Sequence, residues 1–264
     1  MQNVGVVGCG LMGAGIAEVC ARADLDVVVV ESSEAAADAG RTRIERSLKR
    51  AESKGKVDSA DDVLGRIRVV TGMDELADRV LVIEAIVEDP DAILASNTSS
   101  IPIMKLGVAT SRPQNVIGMH FFNPVPVLQL VEVAPSLLTS PSTTDRTRDF
   151  VEGHLGKQAI DCQDRAGFVV NALLVPFVLS AIRMLESGFA TAEDIDRGLV
   201  LGAAHPLGPL ALADLIGLDT TAAVADSLYA EFKEPLYAAP PLLARMVDAG
   251  LLGRKSGRGF YTYE

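Results

Sequence analysis

Two residues in this chain have the type and setting for moving a proton at a carbon centre. His120, one of three histidines, closes an apolar run over 115–119 and stands among aromatics in His120-Phe121-Phe122-Asn123-Pro124. Glu132 is the one charge in Leu130-Val131-Glu132-Val133, where a carboxylate is costly unless it is paired. A carboxylate on one imidazole nitrogen fixes the tautomer, stabilises the cation formed on proton uptake and leaves the other nitrogen as a general base. Such a base would take a hydroxyl proton as hydride leaves the adjacent carbon. The same pair could equally hold two strands together.

A departing hydride needs an acceptor, and the start of the chain offers a place for one. An apolar run turns at Gly8 and passes through Cys9, Gly10, Leu11, Met12 and Gly13 into an amphipathic pattern that ends near Ala23. Glycine at 8, 10 and 13 permits a tight turn, close approach to a pyrophosphate and close helix–strand packing, while the helix N-terminus supplies unpaired N–H groups. A glycine-rich turn that binds nothing is the alternative. Context favours the dinucleotide, because a second apolar run over 26–30 ends at Glu31, about 20 residues on, where a carboxylate can accept the ribose hydroxyls. A phosphate on that ribose would face a like charge, so NAD is expected over NADP.

Further candidates lie along the chain. Arg43, Arg46, Lys49, Arg50 and Lys54 recur at helical spacing, either as a solvated face or as a patch for phosphates carried by a substrate. Asn97-Thr98-Ser99-Ser100 ends an apolar run, where an open α/β sheet places its ligands. These residues could also cap a turn beginning near Pro102. Asn171 lies near a helix start, within reach of a cleft or of a neighbouring helix. His205, in a Pro/Gly-rich connector, reads as a turn residue, and the basic tail 253–261 as a closing loop with an aromatic plug.

The elements that must position these residues follow from periodicity. Apolar runs predict strands over 26–30, 67–70, 80–86, 92–96, 115–119, 128–133 and 158–161, with helices over 34–53 and 142–155. From Phe168 the chain is almost wholly helical, over 168–186, from a capping box at Thr191, and over 210–216, 219–232 and 242–249. Apolar residues cover nearly the whole circumference around 173–179, which implies burial against other helices or a second subunit. One connection is too short. Only 87–91 separate two apparent core strands, where a parallel crossover needs roughly a dozen residues or more, and omission of a segment is the expectation.

Composition bounds the rest. The chain has 264 residues, 48% hydrophobic and 22% charged, and can bury a sizeable core in one or two domains. A net charge of −11 argues against a general nucleic-acid partner. Three scattered cysteines give neither metal spacing nor a disulfide framework, so no metal and a reducing, cytoplasmic setting are expected. No leader and no membrane-spanning run is read.

These residues carry a resemblance. The chain resembles the short-chain L-3-hydroxyacyl-CoA dehydrogenases, on the bacterial 3-hydroxybutyryl-CoA dehydrogenase branch, through GCGLMGAGIAEV, VIEAIVED, ILASNTSS, GMHFFNPVPVLQLVEV, DRAGFVVNALL, ATAEDID, HPLGPLALADLIGLDT and GRKSGRGFYTY. The resemblance implies an α/β fold, a doubly wound Rossmann-type NAD-binding domain over 1–165, then an all-helical substrate and dimerisation domain over 166–264. It implies NAD as cofactor, an acyl-CoA substrate and a homodimer through the C-terminal helices. His120 would be the base, Glu132 its partner, and Ser99 and Asn171 the groups around the substrate oxygen. Gly8, Gly10, Leu11, Met12, Gly13 and Glu31 would hold the cofactor, with Glu84 and Asn97 along its reactive half and Asn123 also on the cofactor side facing the site. Ser47 and Lys54 would meet the coenzyme A portion. Two departures stand out. Family members carry a lysine-containing helix of about 20 residues after the stretch matching Val87-Glu88-Asp89, the length a parallel crossover needs. Ala204 also stands where the family usually has glycine, which matters if the turn needs positive φ. Dehydrogenases of free hydroxy or sugar acids, and a non-enzymatic NAD-binding protein, are the competing readings.

Overall fold

The computed structural model describes residues 2–83, 92–99 and 101–263. The chain forms two compact units, one of residues 1–98 with 102–164 and one of 99–101 with 165–264.

The first unit is built on an eight-stranded sheet. Its strands are β1 (Asn3–Val7), β2 (Asp26–Val30), β3 (Ile67–Val70), β4 (Leu81–Ile83), β5 (Ile93–Ser96), β6 (Val116–Phe121), β7 (Leu130–Pro135) and β8 (Gln158–Asp161), in the order β3-β2-β1-β4-β5-β6-β7-β8. Every neighbouring pair from β3 to β6 is parallel, β6 and β7 are antiparallel, and β8 is parallel to β7. Strands buried on both faces need continuous apolar sequence, and Val27 to Val30 are all buried. Helices α1 (Leu11–Arg22), α2 (Glu34–Glu52), α3 (Ala60–Leu64), α4 (Ile103–Val108) and α5 (Pro141–Asp149) complete this unit. On α2, Ala37, Gly40, Ile44, Leu48 and Ala51 form the buried stripe, and the Ser33 hydroxyl caps the start by accepting from Ala36 N at 3.3 Å. This is the doubly wound sheet expected from the sequence.

Two expectations change. The strand expected over 80–86 is Leu81–Ile83, with Val80 just ahead of it and 84–86 outside the described residues. The helix expected over 142–155 is α5 followed by a π-helical turn, Phe150–His154. The first N–H groups of α4 meet a carboxylate distant in sequence, Asp164 accepting both Ile103 N and Met104 N at 2.7 Å. One ionised acceptor can hold two N–H groups at once. Ser100, expected as a cap of this turn, lies outside the described residues.

The second unit holds α6 (Val170–Glu186), α7 (Ala192–Gly202), α8 (Pro209–Ile216), α9 (Leu218–Phe232) and α10 (Pro241–Asp248). Its core is built from Val175, Val178, Leu179, Ile182, Leu210, Leu218, Leu228 and Leu243. Two buried carboxylates tie down the tail. Asp214 accepts Phe260 N and Tyr261 N at 3.0 Å and the Tyr263 hydroxyl at 2.9 Å. Asp196 accepts Leu210 N, Ala211 N and the Tyr261 hydroxyl at 2.8 to 2.9 Å. Phe260 and Tyr261 pack on the helical core, as the plug reading expected. Among the described residues no helix is long and apolar enough to cross a membrane.

Candidate active site

A cleft of about 300 Å³ opens between β1 and β4, where the strand order reverses. Ligands of open α/β sheets bind at such a switch point, beyond the carboxyl ends of the strands. The cleft is lined by Val6, Val7, Gly8, Gly10, Leu11, Met12, Gly13, Ile16, Ile83 and Asn97, so most of the expected cofactor residues meet here. Gly8 has φ +87°, and its N–H donates to Val30 O at 2.8 Å, which turns the chain out of β1. A Cβ on Gly13 would lie 1.9 Å from Gly8 O, so only glycine lets α1 start this close to the turn. Among the described residues, none comes within 4 Å of a Cβ built on Gly10, and no side chain caps α1. An open surface and uncapped N–H groups at a helix start fit a pyrophosphate. Glu31, just past β2, accepts from Cys9 N and from Ser32 N, which holds its carboxylate beside the turn. Glu84 lies outside the described residues.

His120 and Glu132 stand directly opposite each other on β6 and β7. His120 Nδ1 and Glu132 Oε2 are 2.7 Å apart, with the histidine 4% exposed and the glutamate 0%. With Nδ1–H donated to the carboxylate, chemistry at this ring goes through Nε2. Phe122 meets the ring edge-on at 4.7 Å between centroids. Asn97 Oδ1 accepts Phe121 N at 2.9 Å, a link from the cofactor cleft to the residue after the histidine that no sequence pattern announces.

A second cleft, of about 360 Å³, lies between α1, α2 and the β6–β7 loop. Arg43, Arg46, Ser47 and Arg50 of α2 line one side and Asn123, Pro124, Val125 and Pro126 the other, with Leu11 and Gly15 between. Arg43 also donates to Cys9 O at 2.5 Å, joining this wall to the cofactor turn. The basic face of α2 therefore lines a cavity, which suits an anionic ligand. Asn123, expected beside the cofactor, is on this second cleft. Lys54 is exposed, just after the end of α2, and is not among its lining. Lys157, which sequence reading passed over, is buried beneath the loop. Its Nζ donates to Val125 O at 2.8 Å and Leu128 O at 2.7 Å, and burial pushes its pKa below the usual lysine range.

Ser99 and Asn171 belong to the second unit. Ser99 O accepts Gly167 N at 3.4 Å, and Asn171 is the second residue of α6. The histidine connector does need positive φ, because Ala204 sits at +55°. His205 packs against Phe177, 5.4 Å between ring centroids. All three thiols are free, and burial pushes Cys9 up to about 11 and Cys20 and Cys162 to about 12.

Comparison with known proteins bears directly on these features. Residues 167–263 match the family model for the 3-hydroxyacyl-CoA dehydrogenase C-terminal domain, and residues 3–91 and 89–165 match that of its NAD binding domain. The chain is 57% identical to a 3-hydroxybutyryl-CoA dehydrogenase of Mycobacterium tuberculosis, over all of this chain and 99% of the relative. It superposes on the crystal structure of M. tuberculosis FadB2 with a TM-score of 0.98 at 56% identity, covering 100% and 99% of the two chains. On (S)-3-hydroxybutyryl-CoA dehydrogenase PaaH1 from Ralstonia eutropha the score is 0.92 at 44% identity, with 100% and 99% covered. The NAD-domain match breaks at 89–91, the short crossover. The alignment to the M. tuberculosis enzyme runs over 282 positions against 264 residues here, so at least 18 of that enzyme's positions have no counterpart. With both family domains matched end to end on a doubly wound sheet and a helical second unit, the chain belongs to the 3-hydroxyacyl-CoA dehydrogenase family of NAD-dependent oxidoreductases.

Proposed function

We propose that the protein oxidises (S)-3-hydroxybutyryl-CoA, or another short 3-hydroxyacyl-CoA, reversibly to the 3-ketoacyl-CoA, with His120 and Glu132 as the general-base pair. The observation that carries this reading is the 2.7 Å bond from buried Glu132 to His120 Nδ1, in the same unit as the dinucleotide cradle. When bound, NAD supplies the hydride acceptor. His120 Nε2 takes the hydroxyl proton as the C–H bond at the same carbon breaks and the carbonyl forms. Glu132 stabilises the imidazolium so produced, and in the reductive direction the same nitrogen returns the proton. Ser99 and Asn171 hold the substrate oxygen, a role that rests on their match to the family's motifs.

Gly8, Gly10, Leu11, Met12 and Gly13 hold the cofactor pyrophosphate, and Glu31 the adenine ribose, where its charge disfavours a ribose phosphate. Glu84 and Asn97 serve the reactive half, and Asn123 faces the site from the wall of the second cleft. Ser47, with Arg43, Arg46 and Arg50, meets the phosphates of coenzyme A, which the arginine-lined cleft supports, and Lys54 joins them on its match to the family's motifs. Residues 1–165 form the cofactor domain, and 166–264 the substrate and dimerisation domain of a homodimer. Three free thiols support a reducing cytoplasm.

Comparing kcat/KM for 3-hydroxybutyryl-CoA with that for free 3-hydroxybutyrate tests the substrate. The CoA ester is expected to be preferred by at least about 100-fold, since the free acid forgoes every contact in the arginine-lined cleft. Equal turnover of the two would overturn the acyl-CoA reading, leaving a free-acid dehydrogenase.

A further inference from the structure

Lys157 is a buried cation in an unusual setting. It is 6% exposed, and among the described residues its Nζ bonds two backbone carbonyls and no carboxylate. Its charged neighbour is Arg22, which is repulsive and is itself paired with Glu18. A position that served packing alone would be filled more cheaply by an apolar side chain. What the ammonium gains is directional, because both acceptors, Val125 O and Leu128 O, belong to the loop between β6 and β7.

That loop is fixed from two sides. Val127 N and Leu128 N both donate to Pro124 O, folding the segment into a turn whose later carbonyls meet Lys157. From the other side α1 presses on it, since a Cβ on Gly15 would stand 2.9 Å from Val125 Cβ. Between these holds, residues 123–126 form the wall of the second cleft that faces Arg43, Arg46 and Arg50. A shift of this wall changes the distance between the arginines and the opposite side, and with it the fit of whatever the arginines bind.

We propose that Lys157 is a positioning residue that sets the wall of the arginine-lined cleft, and through it the affinity for the phosphorylated nucleotide end of the acyl-CoA. The inference rests on the reading of the substrate as a CoA thioester. It assigns Lys157 no contact with substrate or cofactor.

The test compares acetoacetyl-CoA with acetoacetyl-pantetheine, a thioester with the same reacting atoms and no phosphates, in the wild type and in Lys157→Met and Gly15→Ala. Lys157→Met keeps the chain length and removes the ammonium, while Gly15→Ala keeps the ammonium and displaces Val125 from the opposite side. For Lys157→Met, KM for acetoacetyl-CoA is expected to rise by about 10-fold with kcat within about 2-fold, and kcat/KM for the pantetheine thioester to stay within about 2-fold. Gly15→Ala should shift the ratio of the two thioesters in the same direction. A wild type that uses both thioesters equally well would sink the CoA reading itself. A wild type that discriminates, with a folded Lys157→Met that discriminates as strongly or loses kcat equally on both thioesters, would overturn the role of Lys157. Should Lys157→Met give no cooperative melt, Gly15→Ala decides by the same ratio.

Discussion

A proton arriving at His120 Nε2 charges a ring whose other nitrogen is 2.7 Å from a carboxylate with no exposure to water. In such a place a neutral amide cannot replace the carboxylate's charge, although it can keep the hydrogen bond. Glu132→Gln is therefore expected to lower turnover by about 10-fold with NADH affinity unchanged, which steady-state kinetics and fluorescence titration would show. Turnover equal to wild type would make the pair a strand tie only. Ala204 poses a different question at this scale. Its φ of +55° places a β-carbon in the left-handed region, and Ala204→Gly should stabilise the protein by about 1 kcal/mol in denaturant unfolding. Loss of stability would contradict that. The glutamate was visible by its charge in an apolar strand, and the alanine only through the resemblance, as a departure from the glycine that the family usually has there. Lys157 was invisible, because a lysine between Gly156 and Gln158 looks like any solvated residue until the loop that it holds is seen.

Elements were legible where one side of them is buried by its own period. The runs of valine gave β2 within a residue of its limits, and the apolar stripe at three- and four-residue steps gave α2. What patterning left out is set by contacts distant in sequence. Asp164 caps α4 from 61 residues away, where local serines looked sufficient. Removing its carboxylate orphans two N–H groups, so Asp164→Ala is expected to cost about 1–2 kcal/mol by chemical denaturation. A cost near zero would return the cap to the serines. The basic face of α2 was equally ambiguous, since a solvated face and a cavity wall share one spacing. Only the position of the β6–β7 loop across from it makes the face a cleft.

The whole chain divides into a sheet unit that carries the dinucleotide cradle and the His–Glu pair, and a helical unit that carries Asn171. The change to helix near Phe168 was plain in the sequence, and so was the short crossover before β5, because the minimum length of a parallel connection is a matter of geometry. The helical unit leaves Leu173 72% and Leu201 71% exposed on α6 and α7. Apolar exposure of that size favours a second copy, and sedimentation at low micromolar concentration is expected to give twice the chain mass. A monomer with full activity would remove that explanation. The central claim, NAD-linked chemistry on a 3-ketoacyl-CoA through His120, is tested most directly by following NADH absorbance with acetoacetyl-CoA, for the wild type beside His120→Gln. The account predicts substrate-dependent loss of NADH by the wild type and at least about a 100-fold slower loss by the variant, with NADH binding unchanged. No loss of NADH by the wild type, or a variant as fast as the wild type, would contradict it.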